Sequence, residues 1–261
     1  MAQQAQNLPP ESEMPQMGIL DHLNEMRVYV VRAAIGLLVG VIVAFLFTET
    51  IFTFLLSCNF PAILIDTASM EQVCAEIITT RPTENIENFL RLAFFAGIAL
   101  SMPWIVYQLW RFISPGLHKH EKRYVYIFVP ALTFLFLFGA VFAWAVLMPP
   151  AFFFLSSFQA ENVEIKWTID SYISFVTGFL LWLGLAFEMP LIFYFLSRFG
   201  FVSSKMLREN WRFAVVGIAI LAAMITPSID PVTMVLTMIP LTVLYLASIG
   251  LSALGYRQFM K

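Results

Sequence analysis

Glu188 is the one acidic residue inside the long apolar segments of this chain, in Leu181-Trp-Leu-Gly-Leu-Ala-Phe-Glu-Met-Pro190. Counted back from Arg198, where that segment meets charged sequence, it lies about ten residues in, or ~15 Å at helical rise, near the middle of a ~30 Å hydrocarbon core. A carboxyl group at such depth is costly, and those that persist there pair with a neighbour or carry function. Other acidic candidates sit near segment ends. Asp21 and Glu25, in Gly18-Ile-Leu-Asp-His-Leu-Asn-Glu-Met-Arg27, are four apart and share a helical face opposite Ile19, Leu20, Leu23 and Met26. Glu121 stands among Lys119, Lys122 and Arg123. Asp230 follows Thr226-Pro227. Acidic groups facing a common side could clamp a cationic ligand. Plainer readings exist for each: a solvated helix face at Asp21 and Glu25, a local salt bridge of little energy at Glu121, a protonated acid bonded to a neighbouring helix at Glu188, and a turn former at Asp230.

The elements that position these groups follow from composition. The 261 residues are 60% hydrophobic and 12% charged, with mean hydropathy +0.81, well above the apolar share of soluble domains. The reading is an all-α polytopic membrane protein with six transmembrane helices in one concave bundle, at 28–47, 89–110, 124–148, 171–197, 213–227 and 232–250. A polar tail and short amphipathic surface helix precede it at 1–27, and a short tail follows at 251–261. Of the fifteen Lys and Arg, only Arg81, Arg91 and Lys166 fall on one side. The other twelve fall opposite, which places both termini in the cytoplasm by the positive-inside rule.

Prolines 103, 130, 190 and 240 lie within spans, and each deletes a backbone hydrogen bond, so several helices should bend. Segment 213–227 extends only ~22 Å if helical, which calls for local bilayer thinning. Two longer connections, 49–88 and 149–170, lie on the side opposite the termini. Cys58 and Cys74 both fall in the first; a bridge closing about seventeen residues there would contribute ~3 kcal/mol, and two unpaired thiols are the alternative.

Some functions find no support. There is no G-x-x-x-x-G-K phosphate loop, no H-E-x-x-H and no C-x-x-C, so neither catalysis nor a resident metal or cofactor is expected. His22, His118 and His120 lie outside the spans and give haem no intramembrane ligand pair. Net charge of -2 gives no reason to invoke nucleic acid. A proton-coupled carrier built on Glu188 is the main alternative, although neither inverted repeats nor paired interrupted segments are visible.

Four motifs in register, His22-Leu-Asn-Glu-Met-Arg27, Phe112-Ile-Ser-Pro-Gly-Leu-His-Lys-His-Glu121, Phe187-Glu-Met-Pro190 and Thr226-Pro-Ser-Ile-Asp230, make the chain from about Gly18 onward resemble the TatC family. This is the multi-spanning component of the twin-arginine translocase, which exports folded proteins. The resemblance implies that Glu25 and Glu121 receive the paired arginines of an export signal. It also implies that Phe112 and Gln108 border the signal and that Glu188 is the family's intramembrane acid. Asp230 would lie where the single-span partners TatA and TatB engage. It further implies an oligomeric complex in contact with membrane lipid, driven by the proton gradient, in a prokaryotic inner membrane or an organellar one. Met26, Met234 and the lack of basic residues at Val28-Tyr29 depart from the family pattern.

Overall fold

The computed structural model describes residues 19–57, 77–113, 125–158, 166–226 and 230–259. These form helices, plus one isolated parallel bridge between Ile78 and Thr168. In chain order the helices are α1 (Ile19–Leu56), α2 (Glu84–Ile113), α3 (Val125–Phe142), α4 (Met148–Ser157), α5 (Ile169–Phe187), α6 (Met189–Arg198), α7 (Ser204–Glu209), α8 (Trp211–Ile225) and α9 (Pro231–Phe259). A π-helical turn, Ala143–Leu147, joins α3 to α4.

Among the described residues, five helical stretches are long and apolar enough to cross a membrane: Met26–Leu56, Glu84–Phe112, Ile127–Ser157, Ile169–Arg198 and Pro231–Tyr256. The expected segment 213–227 corresponds to α8, an apolar helix of 15 residues, about 22 Å long and short of a bilayer core.

Three boundaries differ from the sequence expectation. The stretch expected as a separate surface helix is the start of α1, a single helix of 38 residues. At its other end α1 runs past Thr48, Glu49 and Thr50, with the hydroxyls of Thr48 and Thr53 folded back onto the carbonyls of Ala44 and Glu49. Pro149 and Pro150, read as the start of a loop, occupy the opening turn of α4, where a missing N–H costs nothing. The preceding π turn resets the register so that Ala143, Leu147, Met148, Ala151 and Phe152 all face the core.

The helices run unbroken through Pro103, Pro130 and Pro240, whereas Pro190 marks the division of α5 from α6. Close approach fixes two helix pairs. At the crossing of α1 and α2, a Cβ on Gly40 would lie 2.8 Å from the Gly97 carbonyl, and one on Gly97 would meet the Val41 backbone. Where α3 meets α5, a Cβ on Gly139 would press on Phe187, and one on Gly184 on Phe136. Small residues let apolar helices approach where no hydrophobic driving force separates protein from lipid.

A core of Phe152, Tyr172, Ile173, Phe179, Leu183 and Leu241 holds α4, α5 and α9 together. Buried hydroxyls link further pairs: Tyr172 to the Leu55 carbonyl, Tyr245 to the Leu207 carbonyl, and Ser197 to Ser252.

Candidate functional site

The α1–α2 seam opens, at the end carrying Phe112, into an apolar cavity of about 290 Å³. One helical stripe of each partner lines it: Met26, Tyr29 and Ala33 from α1, Ile105, Gln108 and Phe112 from α2. The three-to-four spacing on both helices is what turns those residues toward the same groove. Phe112 meets Tyr29 edge to face, with centroids 6.3 Å apart. Gln108 is 2% exposed, and its Oε1 has no hydrogen-bond partner among the described residues. A buried acceptor left unanswered costs about 1–3 kcal/mol, so a ligand that brings an N–H or O–H here recovers that cost.

Glu188 occupies the corner between α5 and α6. Proline at 190 cannot donate to the carbonyl four residues back, and the chain tightens into a turn in which the Glu188 N–H reaches Leu185 and its carbonyl accepts from Leu191 and Ile192. The side chain is 7% exposed, and Oε1 lacks a hydrogen-bond partner among the described residues. Phe187 beside it packs on Phe138 and Phe142. The Trp110 indole nitrogen is likewise buried without a described partner, its ring between Phe128 and Phe195.

Asp230 has a local task. Its carboxylate accepts from the Thr233 N–H at 2.7 Å and from the Thr233 hydroxyl, and Pro231 opens α9. This is an N-cap, with proline in the first helical position. Glu25 falls on α1 one turn before Tyr29. Glu121, Cys58 and Cys74 lie outside the described residues.

The sequence reading missed a polar cluster at the opposite end of α2. Arg91 donates to Asp170 at 2.9 Å, to Asn88 at 3.3 Å and to the Ser174 hydroxyl. Arg81 faces Glu84, Glu87 and Asp170. Buried Glu84 accepts from the Thr80 N–H at 2.9 Å and from its hydroxyl. Ile78 bridges both connections, donating to the Trp167 carbonyl and accepting from the Ile169 N–H. The signal was available in outline: Glu84 and Glu87 open α2 and Asp170 opens α5, where acids suit the helix dipole.

Residues 21–240 match the family of Sec-independent protein translocase proteins, TatC. The chain belongs to the TatC family. It is 35% identical to the TatC protein of Deinococcus radiodurans over 94% of this chain and 88% of that one. It is 32% identical to the chloroplastic TATC of Pisum sativum over 96% of this chain and 67% of that one. A crystal structure of the twin arginine translocase receptor TatC superposes with a TM-score of 0.77 at 32% identity, covering 90% of this chain and 99% of that one. The chain is thus a multi-helix membrane protein whose relatives are translocase components of bacteria and chloroplasts.

Proposed function

We propose that this protein is the signal receptor and core of a twin-arginine translocase. In this reading, α8 completes six spans, both termini face the cytoplasm, the helices enclose a concave face, and the membrane is a bacterial inner membrane. Glu25 and Glu121 take the two signal arginines. Guanidinium groups are planar forks that match carboxylates bidentately, so two arginines meeting two glutamates read geometry as well as charge.

The observation that supports this reading best is Gln108: a buried carbonyl oxygen without a described partner, in an apolar groove on the helix Glu25 belongs to and the helix that carries Phe112. A peptide offers both parts such a groove requires, N–H donors and apolar side chains. Glu188, also buried and without a described partner at Oε1, then meets polar groups of the inserted signal or of a partner helix at a later step. Single-span partners of the TatA and TatB kind assemble around the occupied receptor. Asp230 shapes their contact surface by fixing the start of α9. Export would draw on the proton gradient, as the resemblance to the TatC family implies.

Export of a folded reporter carrying a twin-arginine signal tests this assignment. Glu25→Ala and Glu121→Ala should each abolish export and prevent the signal from cross-linking to the receptor. Glu188→Ala should block export while leaving cross-linking intact. Normal export by both cytoplasmic variants would sink the clamp.

A further inference from the structure

Arg111 stands in the last turn of α2 with an exposed side chain. Its guanidinium lies 5.8 Å from the ring centroid of Tyr29 on α1 and 5.9 Å from that of Tyr107 on α2. Among the described residues it makes no ion pair. One cation thus spans a ring from each helix. Tyr107 is braced in turn: it tilts against Trp104 at 6.0 Å, and the Trp104 indole donates to the Arg32 carbonyl at 2.9 Å. A Cβ on Gly36 would run into that indole, so glycine there is what lets Trp104 lie across α1. Tyr29 meets Phe112 edge to face, and both line the groove that holds Gln108. The two flanks of the α1–α2 seam therefore meet at Tyr29, with Arg111 on one and the groove on the other.

We propose that Arg111 is a positioning residue of the groove: it holds the Tyr29 ring as a preformed wall for the apolar part of a bound peptide, without touching the peptide. The assignment rests on the receptor reading of the groove and adds to it a residue that the groove's own lining does not contain. A half-buried tyrosine at a helix surface has several rotamers open to it unless a neighbour selects one. A cation over the ring face selects through the ring quadrupole, and two rings that share one guanidinium fix each other. Ordering the wall in advance removes the cost of immobilising it when a ligand arrives. A last-turn cation also suits the helix dipole of α2, but that role would not extend to a ring on α1.

Two readouts on the purified full chain in nanodiscs test this. The first uses no peptide: fluorine NMR of fluorotyrosine-labelled protein, with the Tyr29 resonance identified by its loss in Tyr29→Phe. Arg111→Gln and Arg111→Met should shift and broaden that resonance, and Arg111→Lys should restore a line close to the wild type's. The second is fluorescence anisotropy with a labelled twin-arginine peptide. Arg111→Gln and Arg111→Met should weaken binding by about threefold, the worth of one exposed cation–π contact. Arg111→Lys should recover most of that loss, and Arg208→Gln should move neither readout. An unmoved Tyr29 resonance in Arg111→Gln would overturn the proposal. So would full affinity in Arg111→Met, which would reduce the side chain to packing. A shifted resonance with unchanged affinity, in a protein whose peptide binding still falls in Gln108→Leu, would overturn it and leave the receptor reading standing. Unchanged affinity in both Arg111→Gln and Gln108→Leu would overturn both, by removing the groove from the peptide's path.

Discussion

Arg91 and Arg111 lie at opposite ends of the same helix and live in opposite circumstances. Arg91 is enclosed by Asp170, Asn88 and Ser174, which tie α2 to the start of α5. Arg111 rests on two tyrosine rings without a described carboxylate, beside a groove where Gln108 holds an unanswered acceptor. At the Asp170 end, the polar groups of Thr80, Arg81, Glu84 and Asn88 answer one another, and a backbone bridge adds to the closure. The groove, by contrast, holds a buried acceptor that no described residue meets. A satisfied network rigidifies, whereas unsatisfied buried groups mark strain, ligand sites or both. One end of α2 is internally satisfied, and the other keeps a buried acceptor that no described residue answers.

Four variants would break or sharpen that contrast. The largest effect belongs to the clamp: Glu25→Gln should weaken binding of a twin-arginine peptide by about 10- to 100-fold, the value of one charge-assisted contact, with thermal unfolding unchanged. Fluorescence anisotropy with a labelled peptide reads the first quantity and a melting curve the second. Arg91→Ala should do the reverse. Losing its bonds to a partly exposed Asp170 should cost about 1–2 kcal/mol of stability while peptide affinity holds.

Gln108→Leu separates the two behaviours within one side chain. Removing the unanswered acceptor should leave the melting temperature equal or higher, while peptide affinity falls by about fivefold or more, the lower part of the range for one hydrogen bond. A parallel loss of both would make Gln108 a packing residue. Asp230→Ala should have the smallest effect, about 1 kcal/mol from the lost N-cap of α9, detectable as faster hydrogen exchange at Thr233 and Met234. A larger loss of partner association than of stability would add a contact role to the cap.

Hydropathy carried most of the architecture, since a stretch such as Ile127–Ser157 has few ways to be anything but a membrane helix. The break at Pro190 was legible from proline chemistry. Helix ends were harder. Thr48 and Thr53 look like the edge of a span, yet their hydroxyls fold back on the preceding turn. Pro149-Pro150 looks like a loop and begins a helix, because proline is excluded from helix interiors and not from their first turn. Asp230 showed both of its readings in sequence, and its bonds to Thr233 display the capping one. The Arg91 cluster joins residues about eighty positions apart, and no spacing rule reaches across two connections. The α1–α2 groove depends in the same way on Gly40 and Gly97 bringing two helices together, which composition alone does not announce.

The central claim is that this chain by itself reads paired guanidinium groups. It is tested most directly by binding of a labelled signal peptide to the purified protein in nanodiscs, comparing an Arg-Arg pair with Lys-Lys at equal charge. Tight binding of Arg-Arg, lost with Lys-Lys and lost again in Glu25→Ala and Glu121→Ala, is the predicted result. Equal affinity for the two peptides, or no binding of either, would contradict it.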